Sequence, residues 1–300
     1  MRFSLTQLTY FVTAANIGSV SAAARRLSIS QPSISAAISH LEDLFGAALV
    51  TRHNRHGIRL TAEGKIVFEQ ALKLLDQAQD LEQSLGVDPR FVAGRVSLGC
   101  FDPIASYYLP ALMRRLTLEF PKLDVQYYLK DQPELHQSLL NNDLNLAITY
   151  DTGMWEDVSS ITLWHVSPFV LLPKGHRLSG RPGVSLGDIV DEDYILIDWP
   201  ESKQYQLSLF TRTGRVPRVT RYAANLEMLR GMVAHGLGVA ISVTRPVGDI
   251  SYDGAPLVCI PILDSVPPQP VVLSFAKNRS MTRATQALLE FIVNYFKTEA

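Results

Sequence analysis

Residues 19–45, SVSAAARRLSISQPSISAAISHLEDLF, constrain the fold of this 300-residue chain more than any other stretch, because they read as two short helices joined by a tight connection. In the first, Val20, Ala23, Ala24 and Leu27 recur at helical spacing, and the small alanines let a second helix approach closely. In the second, Ile34, Ile38, Leu41 and Phe45 repeat every three or four residues and leave Ser33, Ser35, Ala36, Ser39 and His40 on the outer face. Ser30 is a good N-cap and Pro32 suits a first helical turn, where a missing N–H costs nothing, so the second helix is expected to start near Gln31. Its first turn, Gln31-Pro32-Ser33, presents short polar side chains and backbone N–H groups that suit phosphates and base edges.

Paired amphipathic helices also occur in ordinary cores, so the flanking sequence decides. Leu5, Leu8, Phe11 and Val12 give a preceding helix a matching apolar face. Residues 50–60, VTRHNRHGIRL, read as a two-stranded wing with Gly57 as its turn residue, and Arg52, Arg55 and Arg59 there can meet phosphate. Residues 1–60 hold six arginines against Glu42 and Asp43, a net +4 in a chain whose total is −1. A basic excess confined to one end fits a specific double-stranded DNA reader attached to something else and argues against a general polyanion binder.

Residues 61–85 carry Val67, Ala71, Leu74, Ala78, Leu81 and Leu85 at alternating spacings of four and three, a heptad seam. Thr61 caps its start, and Gly86 with Pro89 ends it. Such a stripe either lies on its own domain or pairs two copies. Dimerisation is the expectation, because a helix-turn-helix held as a pair reads two half-sites.

The chain resembles the LysR-type transcriptional regulators. The resemblance is carried by Leu8, Phe11, Gly18, Ser19, Ala23, Ala24, Leu27, Ser30-Gln31-Pro32-Ser33, Ser35, Ile38, Leu41-Glu42, Leu49, Arg52, Leu60-Thr61 and Gly64, in the family's order and spacing. It extends over the full length, with its specific part in the first ~65 residues, where the motif has a structural context. The resemblance implies that Gln31, Pro32, Ser33 and Ser35 meet DNA bases or backbone and that Arg52 and Arg55 grip phosphate. Many relatives place Arg, Lys or Gln where this chain has Ala36, Ala37, Ser39 and His40, which implies more reliance on the wing and on DNA shape. It also implies a homodimer or homotetramer, with RNA polymerase as a further partner.

At 47% hydrophobic the chain has ample material for a core and is too long for one small domain. MRFSLTQLTY is not read as a signal peptide and no apolar run is long enough to span a bilayer, so a cytoplasmic protein without membrane contact is expected. Cys100 and Cys259 are too few for a disulfide framework and have no metal-ligand spacing, so neither metal nor cofactor is expected.

From about residue 94 the pattern alternates strands and helices. Strands are expected at Val96–Cys100, Asp124–Leu129 and Leu144–Thr149, around helices at Ala105–Phe120 and Pro133–Asn142, a βαβαβ order that implies a parallel sheet. The rhythm repeats with strands at Phe169–Leu172, Tyr194–Ile197, Val216–Tyr222 and Val239–Ser242, around helices near 186–191 and 202–212 and one capped by Asn225. The strand Val271–Phe275 and the helix Thr282–Phe296 close the chain. The fold expected is therefore α/β: a winged helix-turn-helix (1–60), a linker and dimerisation helix (61–86), a hinge linker (87–93) and a two-lobed effector-binding domain resembling periplasmic binding proteins (94–300). Lobe I takes 94–166 and 269–300, and lobe II takes 167–268.

Ligands in open α/β sheets sit at the carboxyl ends of strands. Those ends are Cys100-Phe101-Asp102-Pro103, Tyr150-Asp151, Asp198-Trp199 with Ser202 beyond, and the helix start Asn225-Leu226-Glu227. By resemblance the same loops line an effector cleft, and relatives commonly place Ser or Thr where this chain has Asp102. Asp102, Asp151, Asp198 and Glu227 around one cleft would disfavour an anionic effector and favour an amine, a zwitterion or a neutral polar molecule. The competing reading makes Asp102 and Asp198 helix caps. Tyr107, Tyr150, Trp155, Trp199 and Tyr205 could wall the cleft or simply pack the lobes.

An enzyme is not expected. His165, His176 and His235 share this half with Ser167, Ser202 and Asp198, yet none falls in a nucleophile elbow or metal-ligand spacing. A solute-binding protein of the periplasm would share the two lobes but not the N-terminal reader. A redox sensor built on Cys100 is the remaining alternative, set against a buried core thiol.

Overall fold

The computed structural model describes residues 2–53, 57–83, 92–153, 155–277 and 281–299. They belong to two compact units, Met1–Pro89 and Arg90–Ala300.

The first unit runs α1 (Leu5–Ile17), α2 (Val20–Leu27), α3 (Gln31–Phe45), β1 (Val50–His53), β2 (Gly57–Leu60) and α4 (Ala62–Gln83). Each of the first three helices has a serine N-cap, Ser4, Ser19 and Ser30, whose hydroxyl accepts the backbone N–H three residues on. Gly18 and Gly46 end α1 and α3 in the left-handed conformation. Leu8, Phe11, Ala23, Ala24, Ile34, Ile38, Leu41 and Leu49 form the core, and burying each large side chain among them contributes roughly 1.5–3 kcal/mol. Phe45, expected on the inner face, is partly exposed and meets only the Phe3 ring at 6.0 Å.

That core does not stop at residue 60. Ala71 of α4 is buried in it, Val67, Phe68, Leu72 and Leu75 pack against it, and the Phe68 ring meets Phe11 edge-on at 6.4 Å. The Glu42 carboxylate of α3 accepts the N–H groups of Leu49 and Val50 at 2.8 and 3.2 Å and so fixes where the wing begins. Thr61 donates its hydroxyl to the Ala48 carbonyl at 2.6 Å and accepts the Gly64 N–H at 2.8 Å, capping α4 as expected. Gly64 rests so closely on the backbone that a Cβ there would lie 1.9 Å from the Leu49 oxygen.

The second unit runs β3 (Gly94–Phe101), α5 (Asp102–Glu119), β4 (Leu123–Lys130), α6 (Gln132–Leu140), β5 (Leu146–Tyr150), β6 (Val158–Val166), β7 (Phe169–Pro173), α7 (Leu186–Ile189), β8 (Tyr194–Ile197), α8 (Pro200–Phe210), β9 (Val219–Ala223), α9 (Leu226–Ala234), β10 (Ala240–Ser242), β11 (Leu257–Pro261), β12 (Gln269–Ala276) and α10 (Arg283–Glu299). Lobe I is a five-stranded sheet ordered β4-β3-β5-β12-β6. Strand β3 runs parallel to β4 and β5, while β12 is antiparallel to β5 and β6. In lobe II the antiparallel β10-β7-β11 and the parallel β8-β9 are joined by a parallel bridge between Tyr194 and Val239.

Strand β6 ends at Val166 and β12 begins at Gln269. Strands β6 and β11 were not expected. The helix expected from Ala105 begins three residues earlier because Pro103 is well suited to a first turn, and this moves Asp102 out of the loop and into the helix. The strand expected from Val216 begins at Val219, after Pro217, which cannot donate to a ladder.

Candidate DNA-reading face and effector cleft

On α3, Gln31, Pro32, Ser33, Ala36, Ser39 and His40 are exposed and Ser35 is half-buried, whereas Ala37 faces the core. Ser33, Ala36, Ser39 and His40 of the expected outer face are thus open and Ser35 partly so. Gln31 and His40 do not hang freely. The Ser21 hydroxyl donates to Gln31 Oε1 at 3.0 Å, which leaves the Gln31 amide hydrogens to face outward. Gln7 Nε2 lies 3.2 Å from His40 Nδ1.

The wing strands pair antiparallel, with Arg52 opposite Ile58 and His53 opposite Gly57; Arg55 lies outside the described residues, and Arg59 of β2 is exposed. Gly57 is more than a turn residue. It opens β2 with φ 78°, and a Cβ there would lie 2.0 Å from the Gly18 oxygen, which accepts the neighbouring Ile58 N–H at 2.9 Å. The wing is thus fastened to the end of α1 at a point where only glycine fits.

The expected seam on α4 divides. Ala71 is buried and Val67 packs beside it, so the first part of the seam lies on the unit's own core, while Ala78 further along is half-buried. Leu74 and Leu81 are 41% and 75% exposed, and Ile66 near the start of α4 is 63% exposed. Leu85 lies outside the described residues.

In the second unit a cavity lies between the lobes. Phe101 and Pro103 reach it from the start of α5, Tyr150 and Thr152 from the end of β5, and Trp199, Glu201, Ser202, Tyr205 and Gln206 from α8 and the residue before it. Ile197, Leu226, Leu229, Ile241, Ser242, Val243, Thr244, Gln132 and Gln269 complete the lining. Phe101 sits edge-on to Trp199 of the opposite lobe at 5.1 Å and to Tyr150 at 5.7 Å. The Tyr150 hydroxyl meets Thr244 Oγ1 at 2.8 Å, a second link between the lobes. Burial raises the Tyr150 phenol and pushes that of Tyr205 up to about 12, so both stay neutral.

Of the residues expected here, Phe101, Pro103, Tyr150, Trp199, Ser202 and Leu226 line the cavity. The four expected acids do not. Asp102 occupies the first turn of α5, whose N-cap is Phe101. Asp151 lines a separate pocket beside β5, β6 and β12 and accepts the Gly153 N–H. Asp198 is 61% exposed, 3.6 Å from Lys203 Nζ. Glu227 lies in the first turn of α9, outside the lining, and Asn225 spends its side chain accepting the Met228 N–H at 2.8 Å. Cys100 points into the core of lobe I, where burial raises its thiol pKa, while Cys259 belongs to a different core cluster of lobe II.

Sequence reasoning missed the three amides that reach the cavity. Gln132, Gln206 and Gln269 are buried glutamines on three elements far apart in the chain. Gln132 Nε2 donates to Thr149 Oγ1 and the Tyr150 carbonyl at 3.2 and 3.1 Å. Gln206 donates to the Ile241 carbonyl at 3.0 Å and accepts the Tyr194 hydroxyl at 3.2 Å. Gln269 Nε2 donates to the Asp151 carbonyl. Gln132 opens α6 and Gln269 opens β12, whereas Gln206 lies within α8, and a buried Gln at any of these positions needs a polar partner. Among the described residues no group of three acids, histidines or cysteines could hold a metal, and no helix is long and apolar enough to cross a membrane.

Comparison with known proteins agrees with this geometry. Residues 5–65 match the model of bacterial regulatory helix-turn-helix proteins of the lysR family, and residues 89–297 match that of the LysR substrate binding domain. The HTH-type transcriptional regulator XapR of Escherichia coli is 29% identical over 252 residues, 80% of this chain and 82% of its own. HinK, a LysR family transcriptional regulator from Pseudomonas aeruginosa, is 33% identical, with 99% of this chain and 98% of HinK covered and a TM-score of 0.66. An OxyR C206 mutant from Corynebacterium glutamicum, 22% identical over 99% of this chain and 94% of its own with a TM-score of 0.74, shares the fold. This chain belongs to the LysR family of transcriptional regulators, with an N-terminal helix-turn-helix and a two-lobed effector-binding domain.

Proposed function

We propose that this regulator reads promoter DNA with the first turn and outer face of α3, Gln31, Pro32, Ser33, Ser35, Ala36, Ser39 and His40, while Arg52 and Arg55 of the wing hold phosphate. The observation that carries the reading is the exposed polar start of α3, capped by Ser30 and placed on a rigid apolar core. Two such units reading two half-sites require a pair. The exposed Ile66, Leu74 and Leu81 of α4 supply apolar surface for it. A small molecule entering the cleft would favour one arrangement of the lobes over another and so shift the spacing of the paired readers, by as much as its affinities for the two arrangements differ.

The buried Cys100 thiol disfavours the redox alternative, since the reactive form is the thiolate. Two substitutions test the division of roles. Arg52→Ala weakens binding to all DNA sequences and flattens its salt dependence, whereas Gln31→Ala changes sequence preference. If the two variants behave alike, the assignment of base reading to α3 and phosphate gripping to the wing is wrong.

A further inference from the structure

We propose that the effector of the interlobe cavity is an organic amine carrying one positive charge on an apolar or aromatic body. This rests on the cleft being the effector site. Among the described lining residues Glu201 is the only charged side chain, and none is lysine, arginine or histidine. Among the described residues no ion pair involves Glu201. A carboxylate or phosphate entering the cavity would meet that charge with no cation to offset it.

Four helices start at the cavity, α5, α6, α8 and α9, and α5 and α8 are the two without a side-chain cap. Helix N-termini ordinarily attract anions through unpaired N–H groups and the helix dipole. Here α5 begins Asp102-Pro103 and α8 begins Pro200-Glu201, so each first turn loses one N–H to proline and carries its own negative charge. Neither helix has a side-chain cap, and of the two acids only Glu201 lines the cavity. Gln132 has spent its amide nitrogen on Thr149 and Tyr150 and offers no free donor to an anion. Phe101, Tyr150 and Trp199 supply neutral aromatic rings, and aromatic faces bind ammonium groups.

Three probes of equal size separate the possibilities in the full-length protein: benzylammonium, benzyl alcohol and benzoate, each titrated while Trp199 fluorescence is followed, with Trp199→Phe as the control for location. The proposal expects benzylammonium to bind at least tenfold more tightly than the other two. It also expects Glu201→Gln to remove that preference while leaving benzyl alcohol binding within twofold. Preference for benzoate, binding of none of the three, or an amine preference that survives Glu201→Gln overturns the amine class. Benzoate binding that quenches Trp199 overturns the class and leaves the cleft standing. An amine that binds without any Trp199-dependent signal overturns the cleft reading itself.

Discussion

Gln7 Nε2 of α1 lies 3.2 Å from His40 Nδ1 of α3, and the direction of that hydrogen bond is fixed from behind. Gln7 is the N3 residue of the α1 capping box, and its Oε1 accepts the Ser4 N–H at 2.9 Å. The amide nitrogen is thereby turned toward the histidine, which must accept at Nδ1 and carry its proton on Nε2. His40 consequently offers an N–H donor on the exposed face of α3. Nitrogen-15 spectra of neutral His40 are expected to show a bare Nδ1 and a protonated Nε2. Gln7→Glu keeps the capping box but presents an acceptor, and should move the proton to Nδ1. Identical spectra for the two proteins would show that Gln7 does not set the tautomer.

Glycine is required at two contacts of the reader. Gly57→Ala and Gly64→Ala each drive a methyl group against a backbone oxygen, 2.0 Å from that of Gly18 and 1.9 Å from that of Leu49. Backbone cannot step aside as a side-chain tip can, so each should destabilise the unit by about 1–3 kcal/mol or more. Gly57 should cost more, because its positive φ adds strain. Chemical denaturation of each variant measures this, and Gly46→Ala, with open space around its Cβ position, separates backbone strain from the clash.

Glu42→Ala removes the acceptor shared by the Leu49 and Val50 N–H groups. Leaving two partly buried donors unpaired should cost about 1–3 kcal/mol. The loss should appear as faster amide exchange at the start of β1 before it appears in α2, which a deuterium-exchange profile resolves.

The Ser251 hydroxyl, and after it the His235 ring, hold the Asp253 carboxyl at about 2, below its ordinary 3.8. A depressed folded value means stability that is present above 3.8 and is lost as the pH falls toward 2. The difference in melting temperature between the wild-type protein and Asp253→Asn should therefore be constant near neutrality and vanish across that acid window. A difference that persists at the acid end would assign the effect to packing.

The buried Cys100 thiol should resist oxidation. Hydrogen peroxide at levels that oxidise exposed thiols should leave DNA affinity unchanged in wild type and in Cys100→Ala alike. Loss of affinity in wild type alone would restore the redox alternative.

The reader was legible in the sequence because its signals are local. Ser30 with Pro32 marked the start of α3, Thr61 marked that of α4, and Asn225 marked that of α9, each by a hydrogen bond spanning three residues. Strand β6 was not legible, because its facing pattern is broken where its register against β12 shifts between Val271 and Val272. Strand β11 is short and ends in Pro261. The cavity was only half legible. Its apolar walls sit at strand ends, where they were sought, but Gln132, Gln206 and Gln269 meet only through tertiary structure and leave no motif. The acidic cleft was misplaced because one residue at the β3–α5 junction decides whether Asp102 lines a loop or opens a helix.

The central claim is that a ligand in the cleft of the second unit alters how the first reads DNA. Full-length protein should be used to enrich binding duplexes from a random pool, and affinity for the enriched duplex then measured by anisotropy with and without saturating benzylammonium. The account predicts a duplex with two related half-sites and a ligand-dependent change in affinity that is lost in Glu201→Gln. No enrichment, or an affinity indifferent to a ligand shown to occupy the cleft, would contradict it.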